Sequence, residues 1–107
     1  MAVTLRTLDT TSSVADQQIA IRQAEDLGFR LVSVTTGRVG GGVANMVTLL
    51  QQPGAPPTPI TLEVVDGALN QGAQEAALNN AGRQLICYGS MRVNGVAQNV
   101  AAWRIQA

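Results

Sequence analysis

The sequence predicts an α+β fold, a β-α-β-β unit occurring twice, with its strands in one antiparallel-rich, six-stranded sheet and two helices on one face. Three observations predict it. The two halves match residue for residue around a glycine-punctuated hairpin, each half begins with an alternating apolar and polar run, and between them lies a proline-rich joint. In the first half Leu31, Arg38-Val39, Gly41, Val43-Ala44 and Val47 align with Leu85, Arg92-Val93, Gly95, Val96-Ala97 and Val100, one glycine being omitted at the turn. Gly28 falls on Gly82, and Thr4-Leu5 with Asp9 matches Thr61-Leu62 with Asp66, the first half having the longer loop. Order and punctuation together favour a duplication.

Taken in order, Val3 to Leu8 and Ile60 to Val65 alternate as half-buried strands do. Ser13-Val14-Ala15-Asp16 has the spacing of a capping box, in which a hydroxyl and a carboxylate satisfy the free N–H groups of a helix start. Asp66 is the expected cap of the second helix. Ile19, Ala20, Gln23, Ala24 and Leu27 form a partly apolar stripe on the first helix; Leu69, Ala73, Ala76, Ala77 and Ala81 form that of the second. Gly28 and Gly82 stand where a left-handed residue ends a helix. Hairpins follow, Phe29–Thr36 with Val43–Gln51 across Gly40-Gly41-Gly42, and Leu85–Met91 with Val96–Ile105 across Asn94-Gly95. The chain reads as a single domain, 1–107, whose repeats (1–52 and 59–107) are joined by a linker at 53–58.

At 107 residues only one modest core is expected. Aromatic residues are limited to Phe29, Tyr88 and Trp103, so aliphatic side chains must fill that core. Small domains with thin cores gain stability by pairing with copies of themselves, which makes a homo-oligomer the expected state. Seven arginines balance seven acids, and lysine is absent, so net charge draws the chain neither to nucleic acid nor to an anionic membrane. No apolar run is long enough to span a bilayer and the N-terminus lacks a signal-peptide pattern; a cytoplasmic location is the expectation.

Residues 24–34, Ala24-Glu25-Asp26-Leu27-Gly28-Phe29-Arg30-Leu31-Val32-Ser33-Val34, resemble short bacterial and phage domains of unknown function of the DUF1737 and DUF4177 type. That pattern is a helix end, a glycine, an aromatic and a strand, with tryptophan usual where Phe29 stands. The second half keeps the glycine but has Arg83 in the aromatic's place. The resemblance implies a packing arrangement; it carries no activity and no catalytic residues.

The chemistry available is limited. Without histidine the serines have no base to activate them, and zinc-type metal sites lack ligands, so no metal and no cofactor is expected. The lone Cys87 sits in an apolar run, as buried inert thiols do. The glycines around Gly40 do not open a helix, which separates them from phosphate loops. An enzyme is therefore not expected. Arg38 and Arg92 occupy matching positions at the hairpin mouths. With Gly40, Gly41 and Asn94 they form the candidate site for a small anionic, nucleotide-like ligand, since a guanidinium fork grips an anion in two places. Tyr88, Met91 and Trp103 are candidates either for an interface or for the core. The reading is a non-enzymatic, homo-oligomeric binding module; the alternative is a structural or adaptor protein that binds another protein through its sheet face or hairpins.

Overall fold

A computed structural model describes residues 2–54, 58–65 and 71–106. Asp66 (the expected cap), Leu69 of the second stripe and linker positions Ala55, Pro56 and Pro57 lie outside the described residues. The order is β1 (Val3–Leu8), α1 (Val14–Asp26), β2 (Phe29–Val39), β3 (Gly42–Gln51), β4 (Thr61–Val65), α2 (Gln71–Asn80), β5 (Arg83–Val93) and β6 (Val96–Ile105). The fold is α+β, and strand–helix–hairpin occurs twice.

The six-stranded sheet does not form. The strands make two antiparallel three-stranded sheets, ordered β1-β3-β2 and β4-β6-β5. Nor do the helices share a face. Along β3 the inward residues Asn45, Val47 and Leu49 are buried and alternate with half-buried neighbours, the pattern of a sheet covered on one side. Along β6 every residue from Val100 to Arg104 is buried, so both faces of the second sheet are covered. Val100 and Ala102 join Ile21 and Ala24 of α1 in one core cluster with Leu31, Val34, Val47 and Leu49. The intervening Ala101 and Trp103 point the other way. On that side α2, which packs against β5, buries Gln74 and Leu78. The two sheets meet directly, β2 against β5, as well as through α1, which packs on β2 and β4, while α2 lies on the other face of the second sheet.

The side chains of α1 explain why one sheet gives way to two. Its N-terminus is capped as expected, Ser13 Oγ accepting the Asp16 N–H at 3.2 Å, and Gly28 beyond its end has φ +97°. Its buried face is not the expected stripe. Ile19, Gln23 and Leu27 are exposed, whereas Gln17, Ile21, Ala24 and Glu25 are buried. Likewise Ala73, Ala76, Ala77 and Ala81 are exposed at α2. Counting only apolar residues misses α1's second contact face, which is polar and built to meet the second sheet. Gln18 Oε1 accepts the Leu62 N–H of the β4 edge at 2.9 Å. Arg22 Nε donates to the Ile60 carbonyl at 2.7 Å. Glu25 takes a buried ion pair from Arg104 of β6, and its Oε2 also accepts the Leu31 N–H at 3.1 Å. Those groups bridge the halves.

The same helix fixes the direction of the hairpins. Near its start, Gln17 meets Asn45 and Arg92, close to both turns; near its end, Glu25 meets Leu31 and Arg104, far from both. Both turns therefore lie at one end of the molecule, and β2 and β5 run the same way. Thr36 Oγ1 donates to the Ser90 carbonyl at 3.4 Å across their contact. Gly89 stands where any β-carbon would strike the carbonyl of Val34, so this approach needs glycine.

The hairpins are more alike than the sequence alignment suggests. Val39 pairs with Gly42, so the first turn is Gly40-Gly41 alone and no glycine is supernumerary. Every position of β2 and β3 has its counterpart 54 residues later, Phe29–Val39 on Arg83–Val93 and Gly42–Gln51 on Val96–Ile105. Bulges interrupt both at the same place, Leu31/Ser33 and Leu85/Cys87.

Two stability predictions follow from this packing. Gly89→Ala should destabilise by about 1–3 kcal/mol in urea denaturation, because the obstructing atom is backbone and not a mobile side chain. Arg104→Met should cost about 3–5 kcal/mol, because it leaves the Glu25 carboxylate buried without its cation. Adding Glu25→Leu to Arg104→Met should recover much of that loss, and a double variant no more stable than the single one would contradict the assignment.

Candidate functional site

The two turns share an end but differ in what holds them. In the second, Asn94 and Gly95 have φ of +53° and +78°, the pair of left-handed residues that a type I′ turn requires. Its N–H groups are taken: Asn94 donates to Ser12 O at 3.0 Å and Gly95 to Thr10 O at 2.8 Å. The loop before α1 thus fills the second turn. That loop is itself stiffened by Asp9, whose carboxylate accepts from the N–H and hydroxyl of Thr11 at 2.8 and 2.7 Å. The backbone bond and then the hydroxyl bond pull its pKa below the ordinary 3.8.

In the first turn only Gly40 has positive φ, +59°, as a type II′ turn requires. Neither Gly40 nor Gly41 donates a backbone hydrogen bond among the described residues. The Arg38 side chain beside them is exposed and has no hydrogen-bond or ion-pair partner among the described residues. Arg92 is half-buried, with Nη1 donating to the Gly95 carbonyl at 3.1 Å. Arg38, Gly40, Gly41, Arg92 and Asn94 therefore lie at one end, with free donors concentrated at the first turn and those of the second largely used.

Beneath the turns is a buried polar cluster that the sequence reading missed. Asn45 uses its side-chain amide as a strand would use its backbone. Its Oδ1 accepts the Arg92 N–H and its Nδ2 donates to the Arg92 carbonyl, both at 2.8 Å. Gln17 Oε1 accepts from the same Nδ2 at 2.6 Å, and Gln17 Nε2 donates to the carbonyls of Arg92 at 2.9 Å and Ser12 at 3.1 Å. The signal was available: an asparagine at the same place in β3 and β6 (Asn45 and Asn99), flanked by apolar strand residues.

The three interface candidates separate. Met91 is fully buried in the common core. Trp103 is buried on the α2 side of β6, its Nε1 donating to Glu63 Oε2 at 3.0 Å and the Arg83 guanidinium lying 4.2 Å from its ring centre. Tyr88 is half-buried on β5. Cys87 is half-buried as well. Burial pushes its thiol up to about 11 from 9.0, against a weaker downward pull from the Val34 backbone. Among the described residues no group of three or more His, Cys, Asp or Glu is placed to hold a metal ion. No described helix is long and apolar enough to cross a membrane.

Compared with protein-family models, curated proteins and solved structures, the chain finds no match.

The Cys87 shift gives a direct prediction. At pH 8 the folded protein should react with iodoacetamide far more slowly than the urea-unfolded chain, since only the thiolate attacks. Because the folded pKa lies above the unfolded one, this group's contribution to stability is present below pH 9.0 and declines as pH rises to about 11. Equal alkylation rates in the folded and unfolded states would contradict this assignment.

Proposed function

We propose that the chain is a non-enzymatic, self-associating binding module that takes a small anion at its hairpin-turn end. The observation that carries this reading is the open first turn. The Gly40 and Gly41 N–H groups are unused among the described residues beside the exposed guanidinium of Arg38, while Arg92 and Asn94 stand at the same end. Adjacent backbone N–H groups in a turn make a shallow anion-binding concavity, and a planar guanidinium adds charge and two further donors. A phosphate or nucleotide tail matches that set of donors. The half-buried Cys87, its thiol pushed up to about 11, adds no thiolate to it near neutral pH.

A second reading, a structural or adaptor protein binding through its sheet face, draws support from a different surface. The outer face of the first sheet exposes Val3 at 64% and Leu5 at 61%. Exposed apolar side chains grouped on one sheet face favour a docked protein surface.

Calorimetric titration with inorganic phosphate and a panel of nucleotides tests the first reading. Binding by the parent protein is expected, with Arg38→Ala weakening it about tenfold or more, the usual loss for a charged hydrogen bond. An absence of binding in the parent, or equal affinity in the variant, overturns the reading.

A further inference from the structure

The protein holds its two halves together through an interface of which each half carries a second, unused side. Sheet two receives α1 on the face that bears Leu62, Val100, Ala102 and Arg104. By register, the matching face of the first sheet bears Val3, Leu5, Arg30, Thr35, Met46, Thr48 and Leu50. Only Arg30 among these is charged, and its guanidinium is already bonded to the carbonyls of Glu25, Phe29 and Gly54; the exposed Val3 and Leu5 mark this as an outer face. Leu5 corresponds to Leu62 in the alternating first strands; Leu5 is 61% exposed, Leu62 only 5%.

The helix side shows the same asymmetry. α1 meets the second sheet with Gln18, Arg22 and Glu25. The positions 54 residues later on α2 are Gly72, Ala76 and Asn79, and all are exposed. They are small and uncharged, as suits a face without a buried arginine: Leu50 stands where the second sheet has Arg104.

The polar ties repeat the pattern. Asn45 grips the backbone of Arg92, whose N–H and C=O point away from β6. In the first hairpin Val39 and Gly42 close the turn, so the backbone groups of the next residue, Arg38, point away from β3. Among the described residues they have no partner. Asn99, the counterpart of Asn45, makes no hydrogen bond with its side chain among the described residues. Donor and acceptor are both present in the chain, at opposite ends of the layered stack.

From these three pairings we infer that copies of this chain associate head to tail, the α2 layer of one docking on the outer face of the next copy's first sheet, with Asn99 of one bonding the Arg38 backbone of the other. The inference rests on the self-association proposed above and names its surfaces. Both halves run in the same direction along α1, so the contact that joins them is heterologous, and its repetition between chains extends a stack or closes a ring.

Sedimentation of the wild type and two blocked variants tests this. Leu5→Glu charges the sheet face and Ala76→Arg obstructs the helix face; both sites are exposed, so thermal melting should be unchanged. Wild type should grow with concentration, each variant alone should stay monomeric, and an equimolar mixture should give a 1:1 dimer through the two intact ends. Asn99→Ala should lower the association constant about tenfold without changing monomer stability. A variant that dimerises alone, with no mixed dimer, would overturn the head-to-tail geometry and leave self-association standing. A wild-type monomer at high concentration would overturn both; because Arg38 belongs to both surfaces, anion binding is read by calorimetry on the monomeric Leu5→Glu variant, where it reports on the turn alone.

Discussion

α1 packs against strands of both sheets, and it joins the halves together with the direct approach of β2 to β5 and the bonds of Asn45 to the Arg92 backbone. A helix in that position must satisfy polar groups on two sides while burying enough apolar surface to hold the layers. Ile21 and Ala24 supply the apolar part. Gln17, Gln18, Arg22 and Glu25 supply the rest, each ending on a named group of the second half or on Asn45. Burying such groups without partners would cost several kcal/mol each, so the arrangement stands only because nearly all are paired. The exception is Glu25 Oε1, buried without a hydrogen bond among the described residues.

This arrangement specifies more than it stabilises. An ion pair such as Glu25–Arg104 loses much of its attraction to desolvation, and an apolar pair of equal volume would hold the layers as well. What it adds is register. Glu25 bonds the Leu31 N–H and Arg104 together, and Gln17 bonds Asn45 and Arg92 together, so α1 cannot slide without breaking contacts at both ends. The hairpin turns are thereby fixed at one end, which puts Arg38 and Arg92 on the same side of the protein.

Local chemistry made much of this legible from sequence. Ser13 capping α1, the left-handed glycines at 28 and 82, the type I′ signal of Asn94-Gly95 and all six strands follow from rules that act within a few residues. The assembly of those elements was not legible. Treating α1 as amphipathic placed Leu27 inward and Glu25 outward, because apolar periodicity cannot see a buried carboxylate whose partner, Arg104, is far along the chain. The same blindness merged two sheets into one: how β2 meets β5 depends on Gly89, a residue that looks like strand punctuation until Val34 is placed against it. Of the candidate site, matching Arg38 with Arg92 paired the two residues but left the relative placement of their turns open, and which turn was already filled depended on a loop remote in sequence, residues 10–12.

The two hairpins show how one backbone plan yields unlike surfaces. Their strands share a register to the residue, yet the second turn is closed by a neighbouring loop and the first is open. In β6 both faces are buried, whereas in β3 only one is. A sequence repeat by itself would leave these sides equivalent. Stacking breaks the equivalence, because a linear arrangement of two units has one internal contact and two ends. The exposed Val3 and Leu5, and the Gly40 and Gly41 N–H groups and Asn99 side chain that lack partners among the described residues, all belong to those ends. Val3 and Leu5 stay exposed because, among the described residues, nothing packs on the outer face of the first sheet, whereas the second sheet is covered on both faces.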